Sequence, residues 1–139
     1  MRDGISPKAY LGRRYHFVAS HRLHADAYDE ARNRDVYGKC NNPHGHGHNY
    51  TVEVVVSGQV DAKTGMVCDL AELDAYASEN ILAKFDHMNL NTLPQFAHRV
   101  PTTENLCIEA YKIFKGFRGA KLERVRVEET NNNAFEYCG

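Results

Sequence analysis

The sequence predicts an α+β domain in which an antiparallel sheet carries two helices on one face. Three observations support this fold class. The predicted elements follow the order β-β-α-α-β-β, with strands towards both ends of the chain and helices between them. The strand segments alternate apolar and polar residues, as strands with one buried face do. The helical segments repeat apolar residues at helical spacing, so each helix has one side to bury against the sheet.

The first part of the chain contains the two strands that are easiest to recognise. Residues 1–12 carry glycines and a proline without periodicity, and we expect an N-terminal tail followed by one domain over residues 13–139. Strands are predicted at residues 13–20 and 46–57. The charged segment 24–39 between them has no apolar stripe, which favours an exposed loop or a short helix over the entrance to the site.

Two helices and two further strands are predicted in the rest of the chain. The first helix, residues 69–84, begins with a sequence that resembles a capping box. The second, residues 102–116, follows a proline and ends at a glycine. Strands at residues 122–129 and 134–138 complete the order of elements.

Length and composition limit the classes of function. The chain has 139 residues, enough for one domain with its own core, and its 42% hydrophobic and 25% charged residues are ordinary for a globular protein. The net charge is −1 with histidine neutral, so we expect neither a nucleic acid nor a membrane as partner. No apolar run would span a membrane and the first residues are not those of a signal peptide, so we expect a cytoplasmic protein. The four cysteines are dispersed, which predicts free thiols.

Residues 40–50 are the most informative stretch, because they place a cysteine, three histidines and two glycines just before and within the start of the second strand. His46 and His48 lie on one face of that strand, since side chains alternate faces. His21 ends the apolar face of the first strand. If the two strands pair, the three imidazoles meet, and three histidines with a fourth position open are typical of catalytic zinc.

Cys40 and the pair Asp86–His87 are further candidates for chemistry. A thiolate is a competent base or nucleophile, and a zinc site with several histidines would lower the pKa of Cys40. The carboxylate of Asp86 can fix the tautomer of His87. Adjacent residues usually point apart, however, so a simple feature of the helix end is an equal alternative.

Glu129 continues the apolar face of Val125 and Val127 in the third long strand. A carboxylate at that place needs donors, for example the paired N–H groups of a guanidine-like ring edge, unless it lies at the exposed end of the strand. Glu104, in the first turn of the second helix, has the simpler interpretation of a surface acid.

Seven ordered segments resemble the 6-pyruvoyl-tetrahydropterin synthases, and the resemblance covers nearly the whole chain from about Arg14 to Gly139. The segments are residues 19–23, 38–43, 45–50, 60–67, 86–90, 102–105 and 129–130. The resemblance implies the tunnelling fold (T-fold), a four-stranded antiparallel sheet with two helices on one face. It also implies a homohexamer, a dimer of trimers with active sites at the subunit interfaces.

The same resemblance implies a reaction and a role for each residue. A Zn2+ ion would be bound by His21, His46 and His48. The general base would be Cys40, and Asp86 and His87 would form a relay that tunes Cys40 or reprotonates the substrate. The pterin ring would be anchored by Glu129, helped by Thr103 and Glu104. The substrate would be 7,8-dihydroneopterin triphosphate, which loses triphosphate and rearranges internally to 6-pyruvoyl-tetrahydropterin.

Three alternatives remain open from the sequence. A 6-carboxytetrahydropterin synthase of 7-deazaguanine (queuosine) synthesis shares the fold and substrate but usually has a shorter loop, whereas His46 follows Cys40 here by six positions. Pterin side-chain cleavage like that of an aldolase tends to use glutamate in place of Cys40. A non-catalytic, zinc-stabilised pterin-binding module would close the fourth metal position with Cys40 itself.

Overall fold

Two long strands form the centre of the sheet. In the computed structural model, which describes residues 7–139, β1 spans Lys8–His21 and β2 spans His46–Gln59. They pair antiparallel along their whole length, from Lys8 opposite Gln59 to His21 opposite His46. This ladder fixes the relative positions of every side chain on the two strands.

The predicted N-terminal tail was wrong for residues 8–12, which belong to β1 and pair with the end of β2. The glycines and the proline of residues 1–12, without periodicity, suggested a tail, yet in the ladder Gly12 lies opposite Val55 and is part of a regular strand. Residues 1–6 of the predicted tail lie outside the described residues. Segment 24–39 contains the predicted short helix, α1, at Glu30–Tyr37.

The sheet has the strand order β3-β1-β2-β4-β5. β4, Lys121–Thr130, and β5, Asn133–Tyr137, extend the antiparallel ladder on one side of β2. On the other side the two-residue strand β3, Met88–Asn89, lies parallel to β1. The predicted four-stranded antiparallel sheet is therefore confirmed, with a short parallel strand added at its edge.

Two helical segments pack their apolar sides against the sheet. The first comprises α2, Leu70–Ala77, a π-helical turn, Ser78–Leu82, and α3, Ala83–Phe85. The second is α4, Thr103–Phe114. Shorter 3-10 turns lie at Gly38–Asn41, Leu90–Thr92 and Pro94–Phe96. No helix among residues 7–139 has the length and the apolar character that crossing a membrane requires.

The core lies between the helices and one face of the sheet. Its strand residues alternate along β1, β2 and β4, as the period of two predicts, and its helix residues are those at helical spacing. Fully buried members from each side include Val52, Val54, Val125, Leu73 and Phe85.

All four cysteines are free thiols, as predicted. Cys107 belongs to the core, and burial raises the pKa of its thiol to about 12. Cys68 is half-buried, whereas Cys138 is exposed.

Candidate metal centre and active site

Three histidine rings gather at the end of the β1–β2 ladder. His21 pairs with His46 and Ala19 with His48, so the alternation of side chains brings the three rings to one face. The ring centroids are 4.6 Å apart for His21 and His46, 5.1 Å for His21 and His48, and 4.7 Å for His46 and His48. The convergence of rings that the strand pattern predicted is present.

The backbone fixes the tautomer of His21. Its Nδ1 lies 2.7 Å from the carbonyl oxygen of Pro101, and a carbonyl only accepts, so the hydrogen is on Nδ1 and Nε2 carries a lone pair. This is how metal-binding histidines are commonly oriented by a backbone partner. The Nε2 atoms of His21 and His46 are 3.0 Å apart, near the separation of about 3.3 Å that two nitrogens on one tetrahedral zinc ion would have.

Glu129 brings a carboxylate to the same point. One ligand atom from each of His21, His46, His48 and Glu129 can be chosen so that all four lie within 4.8 Å of one another. Glu129 Oε1 is 3.0 Å from His48 Nε2. That nitrogen is nevertheless buried without a hydrogen bond among residues 7–139, so the two atoms approach without hydrogen-bond geometry. Three imidazoles and a carboxylate are a donor set that zinc accepts, and the residues fit a metal ion.

The electrostatics also favour metal binding. Burial is the main cause that lowers the pKa of His21 and of His48, so both rings are held in the neutral form. A histidine must be neutral to bind a metal. Sequence reasoning placed Glu129 at the substrate, but not beside a histidine of the cluster.

A cavity of about 730 Å³ lies against the cluster, and His46 and His48 form part of its wall. Cys40 shares this wall. A volume of this size is typical of small-molecule sites. The remaining lining residues are mostly polar or basic, and include Arg22, Glu30, Arg34, Lys39, Asn41 and Asn42.

Cys40 is positioned by its backbone and by its neighbour. It lies in the 3-10 turn after α1, where its carbonyl oxygen accepts a hydrogen bond of 2.8 Å from the backbone N–H of Leu23. The side-chain amide of Asn41 donates to the carbonyl of Leu23, also at 2.8 Å. Burial, and then the charge of Glu129, raise the pKa of the Cys40 thiol. The lowering expected from a bound zinc ion stays a prediction.

Asp86 and His87 lie elsewhere on the chain, and neither lines the cavity that contains Cys40. They do contact each other, with His87 Nδ1 3.0 Å from Asp86 Oδ1. His87 has a left-handed backbone (φ 60°), and its side chain is 79% exposed. Asp86 accepts a hydrogen bond from the backbone N–H of Val18, and this bond is the main cause that lowers its pKa.

The two expected helpers of Glu129 differ in their surroundings. Thr103 is buried, and its hydroxyl donates a hydrogen bond to Glu129 Oε2. Glu104 is exposed, and its side chain makes neither a hydrogen bond nor an ion pair among the described residues.

Sequence reasoning missed several residues that shape the site. Asn33 and Asn41 are buried amides that hold the segment before and around Cys40. Arg34 lines the cavity, and the carbonyl of Pro101 orients His21. No local pattern identifies these residues, because their partners are backbone groups or residues brought near by the fold.

These features define an α+β protein whose antiparallel sheet carries a site that can hold a metal beside a cavity with a thiol in its wall. The family model described as 6-pyruvoyl tetrahydropterin synthase matches residues 10–139. The chain therefore belongs to the 6-pyruvoyl tetrahydropterin synthase family of enzymes, and the resemblance found in its motifs is confirmed.

Individual relatives agree with the family. The chain is 44% identical over 134 residues to the 6-pyruvoyl tetrahydrobiopterin synthase of Homo sapiens. The match covers 95% of this chain and 92% of the human protein. It is 43% identical over 132 residues to the enzyme of the same name from Poecilia reticulata, with coverages of 94% and 90%. The solved structure of Caenorhabditis elegans 6-pyruvoyl tetrahydropterin synthase matches with a TM-score of 0.92 at 39% identity, covering 97% of this chain and 98% of that one. The predicted T-fold is confirmed.

Proposed function

We propose that this chain is a zinc-dependent lyase that converts 7,8-dihydroneopterin triphosphate to 6-pyruvoyl-tetrahydropterin and triphosphate. The observation that carries the proposal is the arrangement of His46, His48 and Cys40 in the wall of one cavity. A metal site and a thiol that face the same small-molecule cavity fit a reaction that needs an acidified C–H bond and a base. The names of the relatives point to the same chemistry.

His21, His46 and His48 would hold the zinc ion. When bound, zinc would supply Lewis-acid polarisation of the substrate's side-chain hydroxyls. Cys40 would accept the proton from the adjacent C–H bond. Because burial and Glu129 raise the pKa of this thiol, a nearby positive charge has to lower it before Cys40 can serve as a base.

Asp86 and His87 would form the relay to Cys40, and we propose that a second copy of the chain supplies them. The pair faces outward and does not line the chain's own cavity, which supports this assignment. A homohexamer built as a dimer of trimers, with active sites at the subunit interfaces, would bring the pair of one subunit to the thiol of another.

Substrate recognition would use a carboxylate for the pterin ring and positively charged side chains for the triphosphate. Glu129, held by Thr103, would accept N–H groups of the pterin edge, with Glu104 nearby in the first turn of α4. The triphosphate would meet the positively charged side of the cavity, formed by Arg22, Arg34 and Lys39. We place the enzyme in the cytoplasm, without a nucleic acid or membrane partner, which fits its net charge of −1.

Product analysis tests the proposal. Zinc-loaded protein is incubated with 7,8-dihydroneopterin triphosphate, and the pterin product is identified by mass. The expected product is 6-pyruvoyl-tetrahydropterin. Cys40→Ala should abolish it, whereas the matched control Cys138→Ala, which removes an exposed thiol outside the cavity, should leave it unchanged.

Other outcomes of the same assay identify the alternatives. A carboxylated pterin together with acetaldehyde would assign the chain to 6-carboxytetrahydropterin synthesis for 7-deazaguanine. No turnover by a protein that binds zinc would contradict the lyase and favour a pterin-binding module. A pyruvoyl product that persists in Cys40→Ala would remove Cys40 from the role of base.

A further inference from the structure

Glu129 reaches the histidine cluster from a bulge in β4. The β4–β5 ladder pairs Glu128 with Ala134 and Thr130 with Asn133, which leaves Glu129 between the two pairs. Bulges of this kind redirect a side chain, and they are frequent beside active sites. Here the carboxylate of Glu129 belongs to the group of four ligand atoms that lie within 4.8 Å of one another.

The two oxygens of Glu129 have different partners. Oε2 accepts the hydrogen bond of the buried Thr103 hydroxyl, and Oε1 is 3.0 Å from His48 Nε2. Thr103 is the first residue of α4, whose N-cap is the preceding Thr102. A carboxylate held through one oxygen presents the other in a fixed direction, which is how outer partners orient metal ligands.

The same short segment orients a second member of the cluster. The carbonyl of Pro101 accepts a hydrogen bond from the Nδ1–H of His21. Two residues later in the chain, the hydroxyl of Thr103 donates a hydrogen bond to Glu129. Residues 101–103 therefore orient two members of the cluster, His21 through its Nδ1–H and Glu129 through its Oε2. His48 Nε2, which is buried and lacks a hydrogen bond among the described residues, also belongs to that group of ligand atoms. A neutral nitrogen and a carboxylate oxygen at this distance without hydrogen-bond geometry are spaced like two ligands of one ion.

We propose that Glu129 is the fourth metal ligand of the substrate-free protein, and that the substrate displaces it. The first half follows from the geometry of the four ligand atoms. The second half rests on the proposed function, because a metal with four protein ligands has no position for the substrate's hydroxyls. Once displaced, the carboxylate becomes available to the pterin ring. Cys40 is not a member of the ligand group found within residues 7–139, so Glu129 takes the place that the binding-module alternative gave to the thiol.

Zinc affinity in the absence of substrate tests the first half. Dissociation constants are measured by competition with a chelator for the wild type, Glu129→Gln and the matched control Glu128→Gln. Glu128 makes the same change of charge one residue away, where its carboxylate pairs with Arg126. We expect Glu129→Gln to weaken zinc binding at least about 10-fold, the lower end of what loss of one supporting partner costs a metal site. Glu128→Gln should stay within about 2-fold, since it touches no ligand.

A Thr103→Val variant tests how Glu129 is held. It retains the carboxylate but removes the hydroxyl that directs it, so it should weaken zinc binding less than Glu129→Gln does. Equal zinc affinity of the wild type and Glu129→Gln would overturn the proposal. Circular dichroism of the metal-free variants shows whether each one folds, and any loss of affinity is interpreted only for a folded variant.

Cobalt spectra of the wild type provide a test that needs no variant to fold. Visible absorption of the cobalt-substituted protein is recorded before and after saturation with 7,8-dihydroneopterin, with binding followed separately by equilibrium dialysis. Displacement of Glu129 predicts a change in the cobalt bands. Unchanged bands at saturation would overturn displacement. Neither experiment involves turnover, so a failure of the lyase assay would leave the ligand assignment standing, and a failure here would leave the lyase assignment standing.

Discussion

Asn33 offers a quantitative test of how the wall of the cavity is built. Its side chain is fully buried, and Oδ1 accepts a hydrogen bond of 2.7 Å from the N–H of Ala25. Nδ2 lies 3.0 Å from the carbonyl oxygens of Ala25 and Asp29 and 3.2 Å from that of Tyr28. An amide nitrogen has two hydrogens, so two of these three carbonyls are satisfied at a time. Asn33 therefore makes about three hydrogen bonds at once.

Replacing Asn33 by alanine removes these bonds from the backbone groups of Ala25, Tyr28 and Asp29. At about 1 kcal/mol per bond, the free energy of unfolding should fall by about 3 kcal/mol. The matched control is Asn80→Ala, because Asn80 is half-buried and makes a single bond of 2.9 Å to the carbonyl of Tyr76. Its expected loss is about 1 kcal/mol or less.

Urea unfolding measures both variants against the wild type, with zinc and protein concentration held constant because the stability of the proposed zinc-bound oligomer would depend on both. The reasoning is refuted if Asn33→Ala loses less than about 1 kcal/mol, or no more than Asn80→Ala. A second readout is the rate of pyruvoyl formation. It should fall in Asn33→Ala, since α1 leads directly into the turn that carries Cys40.

Two further predictions concern the metal centre and the chain around it. Burial lowers the pKa of His21 and of His48, so the unfolded chain binds protons more readily than the folded one. Metal-free protein should keep its stability above the ordinary histidine pKa of about 6.5 and lose it as the pH falls from there to the lowered pKa of the folded state. The slope is at most about 1.4 kcal/mol per histidine and pH unit, and it is smaller for His48, whose ring is partly exposed. Thermal unfolding of metal-free protein from pH 5 to 8 measures this, and a constant midpoint would contradict it. Gly45→Ala should destabilise the fold more than Gly65→Ala. Both glycines have a left-handed backbone (φ 73° and 72°), in which any other residue costs about 1–2 kcal/mol. Of the two positions, only Gly45 would bring an added Cβ against a backbone atom, the carbonyl oxygen of His21 at 3.0 Å. Equal losses of unfolding free energy in the two variants would contradict the predicted cost of this contact.

The gathering of the three histidines could be predicted because it needs only local information. Alternation along a strand places His46 and His48 on one face, and the pairing of two strands that both end in histidine adds His21. A one-residue shift of register would have turned His46 and His48 to the opposite face, and the hydrophobic pattern of β1 and β2 excludes that shift.

The fourth member of the cluster could not be predicted in the same way. The period of two does place Glu129 on the face of Val125 and Val127, but it does not identify the side chains of other strands that lie beside the carboxylate. The contact with His48 also depends on how β2 pairs with β4, two strands separated in sequence by both helical segments. Sequence reasoning therefore found the residue and missed its neighbour.

The pair Asp86–His87 illustrates a different limit. The expectation that adjacent side chains point apart assumes an ordinary backbone, whereas His87 adopts a left-handed φ that is uncommon for a residue other than glycine. Two bonds to Val18 hold this segment: the N–H of His87 donates to the carbonyl of Val18, and Asp86 accepts from the N–H of Val18. Such a conformation is imposed by the neighbouring strand, so the local sequence does not reveal it.

The metal centre and the thiol depend on different kinds of structure. His21, His46 and His48 lie on two strands whose ladder runs for fourteen residues, so their positions are determined by the sheet. Cys40 lies on a four-residue turn that a few backbone and amide hydrogen bonds attach to the end of β1. A change in the α1 segment should therefore disturb Cys40, the proposed base, while leaving the candidate metal site intact. This separation predicts that Asn33→Ala lowers the turnover number much more than it lowers zinc affinity, and equal losses of both would show that the two parts of the site are not independent.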